Sequence, residues 1–162
     1  MTHISELVVQ ARNGARAHPR CSAEQALLYS CEDVAHLHHP TRVLGRVQVM
    51  DLVTDICMHE DVDIPRVEFG RRRIRCSASF EGFSRTITFY RPEPTLADVV
   101  HEVAHAVSPG GHDMDFRITL VRIARRWAGV QYAALLHHLL VGVGLSMDPW
   151  SARGNDPFST GL

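Results

Sequence analysis

Lysine is missing from the chain, and all 17 of its basic residues are arginine. Against them stand 18 acidic residues, so the formal net charge is −1 and gives no overall attraction to nucleic acid. A local basic cluster is present nonetheless, and a solvated strand and turn face is the simpler interpretation of it. Its members are Arg66, Arg71, Arg72, Arg73, Arg75 and Arg85.

Cysteine is sparse, and Cys21, Cys31, Cys57 and Cys76 form no Cys-x-x-Cys pair. The sequence therefore encodes no zinc ribbon, and in a reducing compartment these residues are thiols. Long apolar runs are missing too: none is long enough to cross a bilayer, and residues 7–9 are too short for the core of a secretory signal. We therefore expect a cytoplasmic protein with no membrane partner.

The composition indicates a single domain. Hydrophobic residues make up 45% and charged residues 22% of the 162 positions, which is typical of a globular protein with one core. No linker, repeat or low-complexity tract divides the chain. Pro, Gly and Ser collect only towards its two ends. We predict one domain over residues 1–162, with loose ends at residues 1–20 and 147–162.

Two helices are predicted in the first part of the chain. Ser22, with Gln25 three residues later, is a capping box that predicts a helix over residues 22–37. Apolar residues at helical spacing predict a second helix over residues 43–59 with one buried face. That face comprises Val43, Leu44, Val47, Met50, Val53, Ile56 and Cys57.

From residue 65 the apolar pattern changes from helical spacing to alternation. Ile74, Cys76, Ala78 and Phe80 fall on one face of a predicted strand, and residues 85–90 alternate likewise after a hairpin turn. Residues 66–69 add a third strand. The predicted sheet is small and antiparallel, and the fold class is α+β.

Three more helices are predicted after the sheet. Thr95 as N-cap, with Asp98 three residues later, begins a short helix that ends at the Ser-Pro-Gly-Gly run of residues 108–111. Asp98 shares a face with the histidines of this helix, but capping is its expected role. Residues 113–128 and 131–141 are predicted to form the last two helices.

The first of these helices contains His101-Glu102-Val103-Ala104-His105. Positions four apart lie on the same side of a helix, so both imidazoles can reach one ion. Glu102 is placed beside them to take a proton from a water at the metal. This pentad therefore predicts a zinc site with a general base.

The third ligand decides the class of the site, because a catalytic zinc takes three protein ligands and leaves one position for water. No glutamate follows His105, which excludes a site completed by a Glu from the next helix. His112 is favoured because the Pro-Gly-Gly turn before it lets the chain reverse tightly. The alternatives are Asp113, Asp115, His137 and His138.

Residues 96–129 resemble the SprT-like zincins and the zinc metallohydrolases of actinobacteria and their phages. The resemblance rests on His-Glu-Val-Ala-His, a glycine-rich turn, Gly-His, a Phe four residues after that His, and an amphipathic helix ending Arg-Trp-Ala-Gly. It implies a zincin-like fold, with N-terminal helices, a small antiparallel sheet, an active-site helix and C-terminal helices.

The resemblance also implies roles for single residues. His101, His105 and His112 correspond to the zinc ligands, Glu102 to the general base, and Phe116 to the apolar anchor of the following helix. The chain departs from the family pattern in two places. Asp113 replaces the usual Gly after the third His, and the loop between the second and third His is shorter than in many members.

We therefore expect a zinc-dependent hydrolase, specifically a metallopeptidase that acts on a peptide or protein. Glu102 would accept a proton from water and return it to the leaving amine. The strand over residues 85–90 is predicted to bind an extended substrate by strand addition. Candidates for the donor that stabilises the oxyanion are Tyr90, Arg91, Tyr132 and His137.

Two functions of other classes remain open at this point. One is a non-catalytic binding module that a metal stabilises. The other is a nucleic-acid-associated factor that uses the arginine cluster. Glu102 discriminates between the enzyme and the binding module, because hydrolysis depends on this residue and metal binding does not.

Overall fold

The computed structural model describes residues 3–71 and 77–151, and all of the following elements lie in those ranges. It consists of helices and a small sheet, which confirms the α+β class. In chain order the elements are α1 (Ile4–Gly14), α2 (Ala23–His38), α3 (Arg46–His59), β1 (Arg66–Phe69), β2 (Ala78–Glu81), β3 (Thr86–Phe89), α4 (Leu96–Val107), α5 (Met114–Trp127) and α6 (Val130–Val143).

The predicted caps of α2 and α4 are both confirmed. The Ser22 hydroxyl accepts a hydrogen bond from the Gln25 amide, and the Gln25 side chain accepts one from the Ser22 amide, each at 3.2 Å. Thr95 and Asp98 form the same reciprocal pair at the start of α4. Each pair provides acceptors for backbone donors that the first turn of a helix leaves without intrahelical partners.

The second predicted helix begins three residues later than its apolar pattern indicates, at Arg46. Val43 forms an isolated bridge with Thr95, and the Leu44 amide donates to the Pro94 carbonyl at 2.9 Å. These bonds hold residues 43–44 beside the start of α4 and prevent them from joining the helix. The predicted start at residue 43 is therefore wrong.

The buried face of α3 also differs from the prediction. Val47 is 71% exposed and Met50 is 54% exposed, whereas Val49 and Leu52 are buried together with the predicted Val53, Ile56 and Cys57. Apolar residues occupy two rows of this helix, so periodicity alone does not select one. Packing against α4 selects the row that contains Val49.

The sheet is mixed, so the prediction of an antiparallel sheet is wrong in part. β2 and β3 form the expected antiparallel hairpin, in which Phe80 pairs with Ile87. β1, however, lies on the other side of β3 and runs parallel to it, with Val67 opposite Ile87. The chain reverses between β1 and β2 and again at the hairpin, so β3 regains the direction of β1. The predicted strand positions Ile74 and Cys76 lie outside the described residues.

Residues 4–14 form a helix, although composition predicted a loose end over residues 1–20. α1 is capped by His3 and buries Leu7 and Ala11. The Ser30 hydroxyl of α2 donates to the Ala11 carbonyl at 2.6 Å. A Cβ at Gly142 would overlap a Val8 methyl group, so α1 approaches α6 where α6 has no side chain.

The predicted loose end at residues 147–162 is described only as far as residue 151. Met147 and Trp150 pack partly buried against the core. His137 of α6 forms a hydrogen bond with the Asp148 carbonyl at 2.7 Å. Within the described ranges, none of the helices has both the length and the apolar character needed to cross a membrane.

The helices bring two distant parts of the chain to one place. α4 packs against α3, α5 and β2, and α2 packs against α1 and α6. Cys31 of α2 and Cys57 of α3 are free thiols buried in the shared core. In this arrangement α2 faces the first half of α4 and the loop that leads to α5.

Candidate metal centre

The structure brings together the three histidines that the sequence singled out. His101 and His105 lie one turn apart on α4, and His112 comes from the loop before α5. The Nε2 atom of His112 lies 3.1 Å from Nε2 of His105 and 3.3 Å from Nε2 of His101. These nitrogens form a cluster that can hold a metal ion.

The spacing of these nitrogens fits a tetrahedral metal. Zinc binds imidazole nitrogen at about 2.0–2.1 Å, which places two ligands of a tetrahedral site about 3.3 Å apart. The two separations from Nε2 of His112, 3.1 and 3.3 Å, agree with that value. Three imidazoles without sulfur form a donor set that suits zinc and its neighbours in the transition series.

The electrostatic environment differs among the three rings. Burial, with the charge of His101, lowers the pKa of His105 to about 3 and that of His112 to about 4. Burial opposes the charge on His101, but the carboxylates of Glu32, Glu102 and Asp98, with Glu32 foremost, together outweigh it and raise the pKa of that ring to about 9. His105 and His112 are therefore neutral at pH 7, whereas His101 must release a proton to bind a metal through Nε2.

The loop between α4 and α5 returns His112 to the other two histidines. Ser108 ends α4, and Gly111 has a φ of 89°, a conformation that side chains with a Cβ rarely adopt. Asp113 accepts a hydrogen bond from the Phe116 amide at 3.0 Å and caps α5. The Asp that follows His112 therefore has a structural role.

The other candidates for the third ligand lie elsewhere. Asp115 is exposed in the first turn of α5, and Asp113 is occupied as a cap. His137 forms its hydrogen bond with the Asp148 carbonyl, and His138 forms one with the Ala134 carbonyl. Of the residues that the structure describes, only the three clustered histidines converge closely enough to share a metal ion.

Two residues of α5 contact the cluster and hold it in place. Phe116 is fully buried, and its ring centroid lies 4.3–5.2 Å from those of all three imidazoles. Arg117 is also buried and donates to the carbonyl of His112 at 2.9 Å. The His112 ring is thus packed, and its backbone is tied to the helix that follows.

Glu32 is a site residue that sequence reasoning missed. Its carboxylate oxygens lie 2.8 and 3.1 Å from Nδ1 of His101. A carboxylate at Nδ1 orients the ring and directs Nε2 towards the metal. The only signal in the sequence was its position on α2. Glu32 is four residues after Leu28 and three before Ala35, so an acid lies in the apolar row of the helix.

Gln25 plays the corresponding part for His112, with its Nε2 atom 3.0 Å from Nδ1 of the ring. Its Oε1 atom already accepts from the Ser22 amide, so the amide group donates to His112 Nδ1. A ring that binds a metal through Nε2 carries its proton on Nδ1 and needs an acceptor there. A Gln25 amide turned over would offer Oε1 to that proton, at the cost of its hydrogen bond with the Ser22 amide.

Glu102 lies beside the cluster and is 6% exposed. Its Oε2 atom has no hydrogen-bond partner among the described residues. Burial raises the pKa of this carboxyl to about 7, against the lowering effect of His101 and with further raising by Glu32 and Asp98. A buried carboxylate oxygen without a partner is costly, which is typical of a group whose partner is a ligand or water.

A cleft of about 790 Å³ opens beside His101, the one histidine of the cluster that lines it. His101 and Glu102 line it from α4, Tyr29 and Glu32 from α2, and Tyr132 from α6. Arg91 also lines this cleft, so two of the four predicted oxyanion donors lie in it. The other two are engaged elsewhere: the Tyr90 hydroxyl forms a hydrogen bond with Ser79, and His137 with the Asp148 carbonyl.

The predicted strand addition at residues 85–90 is wrong. β3 lies in the middle of the three-stranded sheet and pairs with β1 on one side and β2 on the other. Both rows of its backbone groups are therefore used within the sheet. Hairpin periodicity predicted the strand correctly but contains no information about its place in the sheet.

The arginine cluster is only partly described. Arg66 forms an ion pair with Glu68 at 3.0 Å, and Arg85 donates to the Asp63 carbonyl at 2.7 Å. Arg72, Arg73 and Arg75 lie outside the described residues. Arg66 and Arg85 thus bind an acidic side chain and a backbone carbonyl within the domain.

No family model, curated protein or solved structure matches the chain. The resemblance of residues 96–129 to the SprT-like zincins therefore stays a prediction from the sequence. The metal centre is supported by its own geometry, above all by the distances among the three imidazole nitrogens.

Replacement of Glu32 tests its part in the metal centre. We expect Glu32→Ala to weaken zinc binding by about 10-fold to 100-fold, because His101 loses the acceptor that orients it. The measurement is competition with a chromophoric chelator. Asp33→Ala is the matched control, since Asp33 is the next residue of α2 and its side chain is 73% exposed. Equal losses in the two variants would show that Glu32 has no specific role.

Gln25 allows a substitution that should strengthen the site. Gln25→Glu retains an acceptor for the Ser22 amide and offers a second acceptor to His112 Nδ1, so we expect tighter zinc binding than in the wild type. Gln25→Leu should bind zinc about tenfold more weakly. Calorimetric titration with zinc measures both. Weaker binding by Gln25→Glu, in a variant that melts like the wild type without metal, would contradict this role of Gln25.

Proposed function

We propose that this protein is a zinc-dependent hydrolase that cleaves peptide bonds. One observation carries the proposal: Glu102 is buried beside three converged imidazoles at the lining of a cleft, and among the described residues its Oε2 atom has no hydrogen-bond partner. A merely structural metal site needs the imidazoles but has no use for this acid. A hydrolytic site needs both.

His101, His105 and His112 would hold the zinc. When bound, zinc lowers the pKa of a coordinated water towards about 7 and polarises a substrate carbonyl. The choice of zinc follows from the three imidazole donors and from the absence of a redox requirement in hydrolysis. Glu32 and Gln25 would orient two of these rings through their Nδ1 atoms.

Glu102 would move the proton that hydrolysis requires. Its carboxylate follows His101 directly on α4, so the helix holds it at the edge of the cluster. It would accept a proton from the attacking water and deliver it to the nitrogen of the leaving amine. Burial of the carboxylate excludes bulk water, which would otherwise compete for this proton.

The peptide bond is the substrate favoured by two considerations. The resemblance of residues 96–129 to SprT-like zincins points to peptidases. The cleft of about 790 Å³ falls within the range of sites that enclose several substrate groups. Arg91 and Tyr132 supply polar groups along this cleft that can contact a bound chain.

The test separates metal binding from catalysis. Glu102→Gln should bind one zinc per chain like the wild type, and should cleave a fluorogenic peptide library about 100-fold to 10,000-fold more slowly. Glu93→Gln, a change of the same kind at an exposed position, is the control and should keep full activity. Retained cleavage by Glu102→Gln would refute its role. A zinc-loaded wild type that cleaves nothing would favour a metal-stabilised binding module.

A further inference from the structure

Three residues on one face of α2 contact the histidines of the metal centre. Gln25, Tyr29 and Glu32 are spaced four and three residues apart and therefore lie on the same side of the helix. The outer two contact Nδ1 of His112 and Nδ1 of His101. Tyr29 lies between them, and its ring packs edge-on against His112 at 5.3 Å.

The Tyr29 hydroxyl lies at the Nε2 edge of the His112 ring, which is the edge that would face the metal. Its oxygen is 3.3 Å from Nε2 of His112, and not from Nδ1, which faces Gln25. A hydrogen-bond partner of a ring nitrogen lies along the direction of its lone pair or N–H, and a bound metal occupies the same direction. The hydroxyl therefore lies on the metal side of His112.

The distance from the Tyr29 oxygen to Nε2 of His112 is also that expected between two ligand atoms of one ion. Nε2 of His112 is 3.1 Å from the nitrogen of His105 and 3.3 Å from that of His101, and the Tyr29 oxygen is 3.3 Å away as well. Ligand atoms of a tetrahedral zinc site are about 3.3 Å apart. Around His112, the hydroxyl is indistinguishable by distance from the two other ligand atoms.

We propose that the hydroxyl oxygen of Tyr29 is a fourth protein ligand of the metal in the substrate-free protein. The proposal rests on the metal site of the proposed function but not on hydrolysis. Coordination would release the phenolic proton to solvent, and Tyr29 would then be an anionic ligand. Catalysis would require that the phenolate be displaced or that a fifth ligand be accepted beside it.

This assignment gives Tyr29 a gating role that the histidines do not have. The three imidazoles come from α4 and its following loop, whereas Tyr29 belongs to α2, on the other side of the cleft. A ligand that enters the cleft would separate the hydroxyl from the ion without disturbing the imidazoles. Tyr29 would thus determine which groups reach the metal.

Copper provides a probe that needs no substrate. The full chain, stripped of metal and loaded with less than one equivalent of Cu²⁺, should show a visible phenolate-to-copper charge-transfer band. Tyr29→Phe should lose the band and bind Zn²⁺ about tenfold more weakly. Tyr132→Phe is the matched control, since Tyr132 is buried and lines the same cleft, and it should retain both properties.

The outcomes separate this proposal from the hydrolase. A wild type without the band, a band that persists in Tyr29→Phe, or unchanged Zn²⁺ affinity in that variant would overturn the role of Tyr29 as a ligand while leaving peptide cleavage open. A chain that shows the band and cleaves no peptide would sustain the ligand and refute the hydrolase. Circular dichroism of each variant verifies that the helices are intact.

Discussion

Nε2 of His112 lies 3.1 Å from Nε2 of His105 and 3.3 Å from Nε2 of His101, and the surrounding structure holds the three nitrogens in that arrangement. His105 and His112 are neutral and their lone pairs repel at such distances, and the proton on His101 can satisfy only one contact. A cation among them removes the repulsion. The fold around the cluster keeps the three nitrogens close enough to share an ion.

Each neighbouring element contributes to this convergence. α4 is short, capped at its start and buried along one side, which fixes the positions of His101 and His105. The left-handed Gly111 turns the chain, and the Asp113 cap starts α5 directly after His112. Phe116 packs beneath the three rings, so none of them can rotate away without opening the core.

The opposite side of the centre comes from a much earlier part of the chain. Glu32 contacts His101, and Gln25 and Tyr29 contact His112, all from α2. α2 is held there by its packing on α1 and α6. Stability of the N-terminal helices and affinity for the metal are therefore coupled, because movement of α2 would remove the groups that orient two of the rings.

The parts of this site that depend on local spacing were predictable from the sequence. Helical geometry predicts that His101 and His105 lie together, and the glycine turn predicts the return of His112. The caps at Ser22 and Thr95 are predicted by the capping partner three residues after each of them. Glu32 and Tyr29 were not predictable, because nothing local relates α2 to α4. The place of β1 beside β3 and the buried row of α3 likewise depend on tertiary packing.

Metal analysis of the purified chain, wild type beside His112→Ala, tests the central claim most directly. Both proteins are loaded with zinc, passed through a desalting column and assayed by mass spectrometry for zinc per chain. The convergence of the three nitrogens predicts one tightly held zinc in the wild type and almost none in the variant. Equal zinc content in the two proteins, or none in either, would contradict the account.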